Sequence, residues 1–117
     1  MGKLTTHILD TAHGRPAASV LIDLYAERGK SWVLLDSVRS NADGRCDAPL
    51  LQDTAFQAGR YRLVFHIGAY FKALGLSLSE PVFLDQIPLE FGVADARSHY
   101  HVPLLVSPWS YSTYRGS

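Results

Sequence analysis

Apolar residues recur at every second position along four separate runs of this chain. Val20, Ile22 and Leu24 form the first, and Tyr61, Leu63, Phe65 and Ile67 the second. Ile87, Leu89, Phe91 and Val93 form the third, and Tyr100, Val102, Leu104 and Val106 the fourth. A period of two belongs to a strand with one face on a core and the other turned away from it. Turn clusters separate the runs: Asp10–Pro16 with Gly14, Glu27–Lys30 around Gly29, and the polar stretch Arg39–Pro49 with Asn41, Asp43 and Gly44. Thr5–Asp10 reads as a short extended segment. Trp32–Val38 reads as a strand that is apolar on both faces, so its pattern leaves it unoriented. Ala69–Leu76 has good helix formers and a stop at Gly75, which predicts one short helix. Pro88 falls on the outward set of its run, as expected of an edge strand. The expected fold is an all-β sandwich of seven or eight strands with one short helix, in a single domain spanning residues 1–117.

The fourth run has a second face. His99, His101, Pro103, Leu105 and Ser107 alternate with its core residues, and none of them carries a full charge. A strand face of that composition is normally covered by a ligand, a partner subunit or both.

Charge and composition exclude several classes. Eleven basic residues balance eleven acidic ones, so the chain lacks the electrostatic footprint of a nucleic-acid or anionic-membrane binder. Cys46 is alone and forms no internal disulfide, and it reads as an inert small residue beside a turn. No apolar run approaches membrane-spanning length, and the start MGKLTTHILD lacks the apolar core of a signal peptide. The cytoplasm is the expected location.

Five histidines are available for chemistry: His7, His13, His66, His99 and His101. His13 lies in a turn and His66 on an outward strand face, and both read as structural. His99 and His101 form an H-x-H pair, a spacing that suits zinc on a strand, with a third ligand to come from His7 or a carboxylate. No cysteine pair or H-E-x-x-H supports that reading. Arg45 follows Asp43-Gly44, so a tight turn would aim its planar fork at an anion or carbonyl. The chain has no G-x-S-x-G, P-loop or G-x-G-x-x-G motif, and nothing marks a hydroxyl of Ser110–Thr113 as a nucleophile.

Two long motifs carry a resemblance. His7-Ile8-Leu9-Asp10 followed by Gly14-x-Pro16-Ala17 resembles the opening motif of the transthyretin superfamily, and Tyr100–Thr113 (YHVPLLVSPWSYST) resembles its closing motif. Tyr70–Gly75 is similar to the family's single helix. The superfamily has a hormone-carrying branch and a hydrolase branch that opens the ring of 5-hydroxyisourate. The carriers have Lys at the position of His7, an acidic residue at Arg45 and Thr at His101, and they run on past the final Tyr114-Arg115-Gly116-Ser117. At all four places this chain resembles the hydrolases. It departs from their pattern in the loop Ser79–Asp85 and at Ser110, where many have Gly.

The resemblance implies a transthyretin-like sandwich that assembles as a homotetramer, a dimer of dimers with sites at the dimer–dimer interface. It implies 5-hydroxyisourate as the small-molecule substrate, with His7, Arg45, His101 and Ser117 as catalytic positions. His7, Arg45 and Tyr114 would bind substrate, and neither a cofactor nor a metal is called for. The alternatives are a thyroid-hormone-type binding protein without turnover and a zinc hydrolase built on His99 and His101.

Overall fold

The computed structural model describes residues Met1–Ser117. The predicted alternations become two packed β layers. One holds β4 (Leu21–Arg28), β5 (Ser31–Arg39), β7 (Gly59–His66) and β8 (Gln86–Val93) in the antiparallel order β5-β4-β7-β8. Ile22, Leu24, Leu63, Phe65, Ile87 and Leu89 turn inward from it and are buried. β8 is an edge, so Pro88 sits where a missing backbone donor is tolerated. β5 is the opposite edge. That placement explains its unreadable pattern: Val33, Leu34 and Leu35 are exposed, and the register slips opposite Leu24/Tyr25.

The other layer is made of shorter pieces. β1 (Lys3–Thr5) pairs with β6 (Leu51–Gln52) and runs parallel to β9 (Tyr100–His101). β2 (Ile8–Asp10) runs parallel to β10 (Leu104–Val106), with β3 (Arg15–Pro16) and β11 (Tyr111–Ser112) outside them. The single closing strand expected over Tyr100–Val106 is therefore two strands. The break falls at Pro103, which has no N–H to give to the ladder. Across the break, Val102 N donates to Thr5 O at 2.9 Å, and Leu104 N donates to His7 O at 2.9 Å. The Thr6 hydroxyl donates to Val102 O at 2.7 Å. Taking β1 with β2 and β9 with β10 as interrupted single strands leaves nine strands, three of them (β3, β6 and β11) only two residues long, in the expected sandwich.

Burial fixes which side chains face the site. Leu4, Ile8, Tyr100, Val102, Leu104 and Val106 are all in the core. A buried Leu or Ile side chain is worth about 1.5–3 kcal/mol, and a slip of one residue would expose the whole set. The same register holds Thr5, His7 and His101 on the opposite side, half-buried. Pro103 departs from its alternation and is buried, with Thr113 Oγ1 donating to its carbonyl at 2.7 Å.

The helix α1 (Ile67–Ala73) begins two residues earlier than the spacing predicts, directly from the end of β7. It stops as expected, with Gly75 at φ +83° and its N–H on Lys72 O at 2.9 Å. Tyr70 anchors it to the other layer by donating to the buried Asp10 carboxylate at 2.8 Å. No helix is long and apolar enough to cross a membrane.

Candidate active site

The closing strand and the loop after β5 meet over a cleft of about 540 Å³. Lys3, Thr5 and Thr6 line it from β1 and the residue that follows. Arg45 to Pro49 line it from the loop, and His101 and Ser117 complete it. Three of the four positions expected to be catalytic, Arg45, His101 and Ser117, thus share one cavity. His7 stands at its margin, paired in a backbone bridge with Arg45.

A network of short bonds holds the Arg45 turn. Asn41 Oδ1 accepts from Asp43 N at 2.9 Å and from Arg45 N at 3.1 Å. Asn41 N donates to Arg45 O at 2.7 Å, and Ile8 N donates to Gly44 O at 2.8 Å. Gly44 has φ +73°, and a Cβ there would lie 2.5 Å from Ile8 O, so only glycine fits. The turn therefore presents Arg45 beside His7. The guanidinium is exposed and forms no ion pair within the chain, so its fork is free to meet a ligand.

His101 is held on two sides. Its Nδ1 lies 2.9 Å from Thr5 Oγ1. Its backbone exchanges hydrogen bonds with Gly116 at 3.2 and 2.7 Å, and its ring lies against Gly116. Burial first, then the charge of Arg45 and then His7, pushes its pKa below the ordinary histidine value. A neutral imidazole at neutral pH beside a free guanidinium can accept a proton from water while the cation attracts developing negative charge.

The remaining candidates lie elsewhere. Tyr114 is not in the cleft: it is exposed and lines a separate groove of about 220 Å³ with Phe91, Tyr100 and Arg115. Its neighbour Arg115 shares that groove and stacks over the Tyr100 ring at 4.1 Å, while Gly116 pairs with His101. His99 is exposed while His101 enters the cleft, and no group of three or more His, Cys, Asp or Glu side chains comes together as a metal site. His13 and His66 have structural partners, Asp10 at 2.6 Å and Asp23 at 2.8 Å. Burial and the neighbouring Asp47 and Asp36 carboxylates push the Cys46 thiol up, away from reactivity. Thr5 and Lys3 line the cleft without having been singled out by any sequence signal, because one threonine or lysine in a strand has no diagnostic spacing.

The transthyretin model, described as the HIUase/Transthyretin family, matches residues 4–116. The chain belongs to this family. It is 58% identical to the 5-hydroxyisourate hydrolase of Ralstonia nicotianae, with 100% of each chain covered. It is 45% identical to the chain in a crystal structure of (S)-allantoin synthase, with a TM-score of 0.94 over 99% of this chain. It spans only 44% of that longer chain. Sea bream transthyretin in complex with thyroxine shares 28% identity at a TM-score of 0.87, covering 97% of this chain and 94% of that one. The fold is therefore shared with the (S)-allantoin synthase chain and with sea bream transthyretin in its thyroxine complex.

Proposed function

We propose that this protein hydrolyses 5-hydroxyisourate to 2-oxo-4-hydroxy-4-carboxy-5-ureidoimidazoline, a step in urate degradation. The observation that carries the reading is His101, its pKa held down, in one cleft with an unpaired Arg45. Full-length similarity to a curated hydrolase of that substrate supports it. His7 or His101 takes a proton from a water as its oxygen bonds to the ring carbonyl carbon. The carbon–nitrogen bond then breaks, the nitrogen is protonated and the product leaves with a new carboxylate. Arg45 clamps the flat substrate and stabilises the oxyanion. His7 and His101 share the base and acid roles. General-base help of this kind is worth about 10²–10⁴-fold.

The reading extends to a cytoplasmic homotetramer, a dimer of dimers in which a second subunit covers the face of His101 and Leu105. Tyr114, turned out of its own chain's cleft, then has a neighbouring subunit's site to complete. The deciding experiment is turnover of freshly made 5-hydroxyisourate followed by ultraviolet absorbance, with light scattering for the mass. A chain that binds thyroid-hormone analogues but leaves the substrate untouched would place it with the carriers.

A further inference from the structure

We infer that Thr5 is a positioning residue that fixes the tautomer of His101. The inference rests on the hydrolase reading, in which His101 acts on water. The Thr5 hydroxyl lies 2.9 Å from Nδ1, and Nε2 has no hydrogen-bond partner in the chain. A ring that is to take a proton at Nε2 must carry its own proton on Nδ1. The Nδ1–H therefore donates to Thr5 Oγ1, and the bare Nε2 is left for water or substrate in the cleft.

Thr5 is built to hold that geometry. Its register against His101 is set by the parallel pairing of β1 and β9. Its carbonyl accepts from Val102 N at 2.9 Å. The next residue, Thr6, is buried and bonded to Val102 O at 2.7 Å, which pins the strand from the core side. A β-branched side chain on such a backbone has few rotamers to choose from. Gly116 closes the other side of the ring, where a Cβ on it would lie 3.1 Å from His101 Cβ and Cδ2. The charged and titratable groups around the ring are Lys3, His7, Arg45, Cys46 and Asp47, and none of them bonds to Nδ1. Thr5 is the hydrogen-bond partner of the ring, the part a third group plays whenever a base must be held in one tautomer.

The test compares Thr5→Val, which keeps the β-branched shape without the hydroxyl, with Thr5→Ser, which keeps the hydroxyl. The 15N shifts of the His101 ring in the wild type at high pH should report the Nδ1–H tautomer, and in the Val variant a shift toward Nε2–H. The kcat of Thr5→Val should fall about three- to tenfold, the size of one ordinary hydrogen bond, with KM unchanged. Serine should restore most of the loss. The acid limb of kcat/KM should move to lower pH in Thr5→Val, because an imidazolium gains more than a neutral ring from an acceptor on Nδ1. A limb that stayed in place or moved upward, or an Nε2–H tautomer in the wild type, would overturn the inference. The ring spectra read the tautomer whether or not the wild type turns over. Absence of wild-type turnover would count against the hydrolase reading alone.

Discussion

Gly116 lies against His101: their backbones exchange two hydrogen bonds, and a Cβ on Gly116 would sit 3.1 Å from both His101 Cβ and the ring Cδ2. The tail is thus a paired segment that walls the cleft. Gly116 is not among the glycines with positive φ, so its value is closeness rather than a bend.

Gly116→Ala should therefore displace the His101 ring by a few tenths of an ångström. Misplacements of about 1 Å near a reacting centre cost roughly 10²-fold, so a several-fold loss of kcat is expected. The melting temperature should barely change, because the core lies on the other face of His101. Unaltered kinetics in this variant would show that the contact has slack.

Replacing His7 or His101 by Asn should lower kcat/KM by about 10²–10⁴-fold while circular dichroism and melting stay near the wild type. Arg45→Lys keeps the charge and loses the fork. A loss of roughly 10- to 100-fold is expected, the scale of hydrogen bonds to a charged group. Steady-state kinetics on the three variants decide which side chains take part, and any one that keeps near-native turnover leaves the mechanism.

How much of this site the sequence discloses depends on the kind of signal. The core faces were legible because burial imposes a period of two, and Val20, Leu63 and Leu104 fall where that period puts them. Pairing direction was not, since alternation is the same in parallel and antiparallel strands. The parallel match of Thr5 with His101 therefore had no sequence mark, and Thr5 was missed with it. Arg45 was legible through its Asp43-Gly44 turn, and the role proposed for it comes from family resemblance. Tyr114 lies outside this chain's cleft, which the sequence did not reveal because a motif conveys residue identity and not the direction a side chain takes. The early start of α1 was hidden because Ile67 satisfies the strand pattern and the helix pattern equally.

The pH profile follows from His101. Burial, Arg45 and His7 favour its neutral form, so its pKa lies below the reference of about 6.5. Activity that needs the neutral ring is then fully present at neutral pH and is lost only as pH falls through that depressed value. The acid limb of kcat/KM should lie below about 6.5, and Arg45→Gln, which removes one depressing charge, should move it upward. A flat profile from about pH 5 to 8 would exclude imidazole as the base.

Asp10 and Tyr70 offer a stability prediction away from the site. Burial alone would raise the Asp10 pKa, but bonds from His13 and Tyr70 outweigh it and hold it below the usual carboxylate value. Burial and the Asp10 carboxylate push the Tyr70 phenol up to about 12, so it stays a donor. Tyr70→Phe removes one of the bonds to Asp10 and should cost about 1–2 kcal/mol at neutral pH with little change in kcat. Because the folded-state pKa of Asp10 is depressed, its contribution is present above the ordinary carboxylate value and is lost as pH falls through the folded one. The gap between wild type and Tyr70→Phe in urea melts should therefore narrow in acid. An equal gap at pH 7 and in strong acid would count against a charged Asp10 as the acceptor.

The tail gives the sharpest test. A terminal segment is normally the least ordered part of a domain, yet here three side chains or backbones tie it down. Thr113 donates to Pro103 O at 2.7 Å, Arg115 covers Tyr100 and donates to His99 O at 3.3 Å, and Gly116 pairs with His101. Ser117 then reaches the cleft beside Arg45. Removing Tyr114–Ser117 leaves Thr113 and the closing strand in place but opens the cleft, unpairs His101 N and O, and lets water onto the ring. Activity should fall by at least the factor seen for Gly116→Ala. The melting temperature should drop only slightly, since the buried set on β9 and β10 is retained. Fusing a tag directly to Ser117 should act the same way by filling the cleft mouth, whereas an amino-terminal tag should not. Full turnover in the truncated protein would mean that the ordered tail is packing and takes no part in the chemistry.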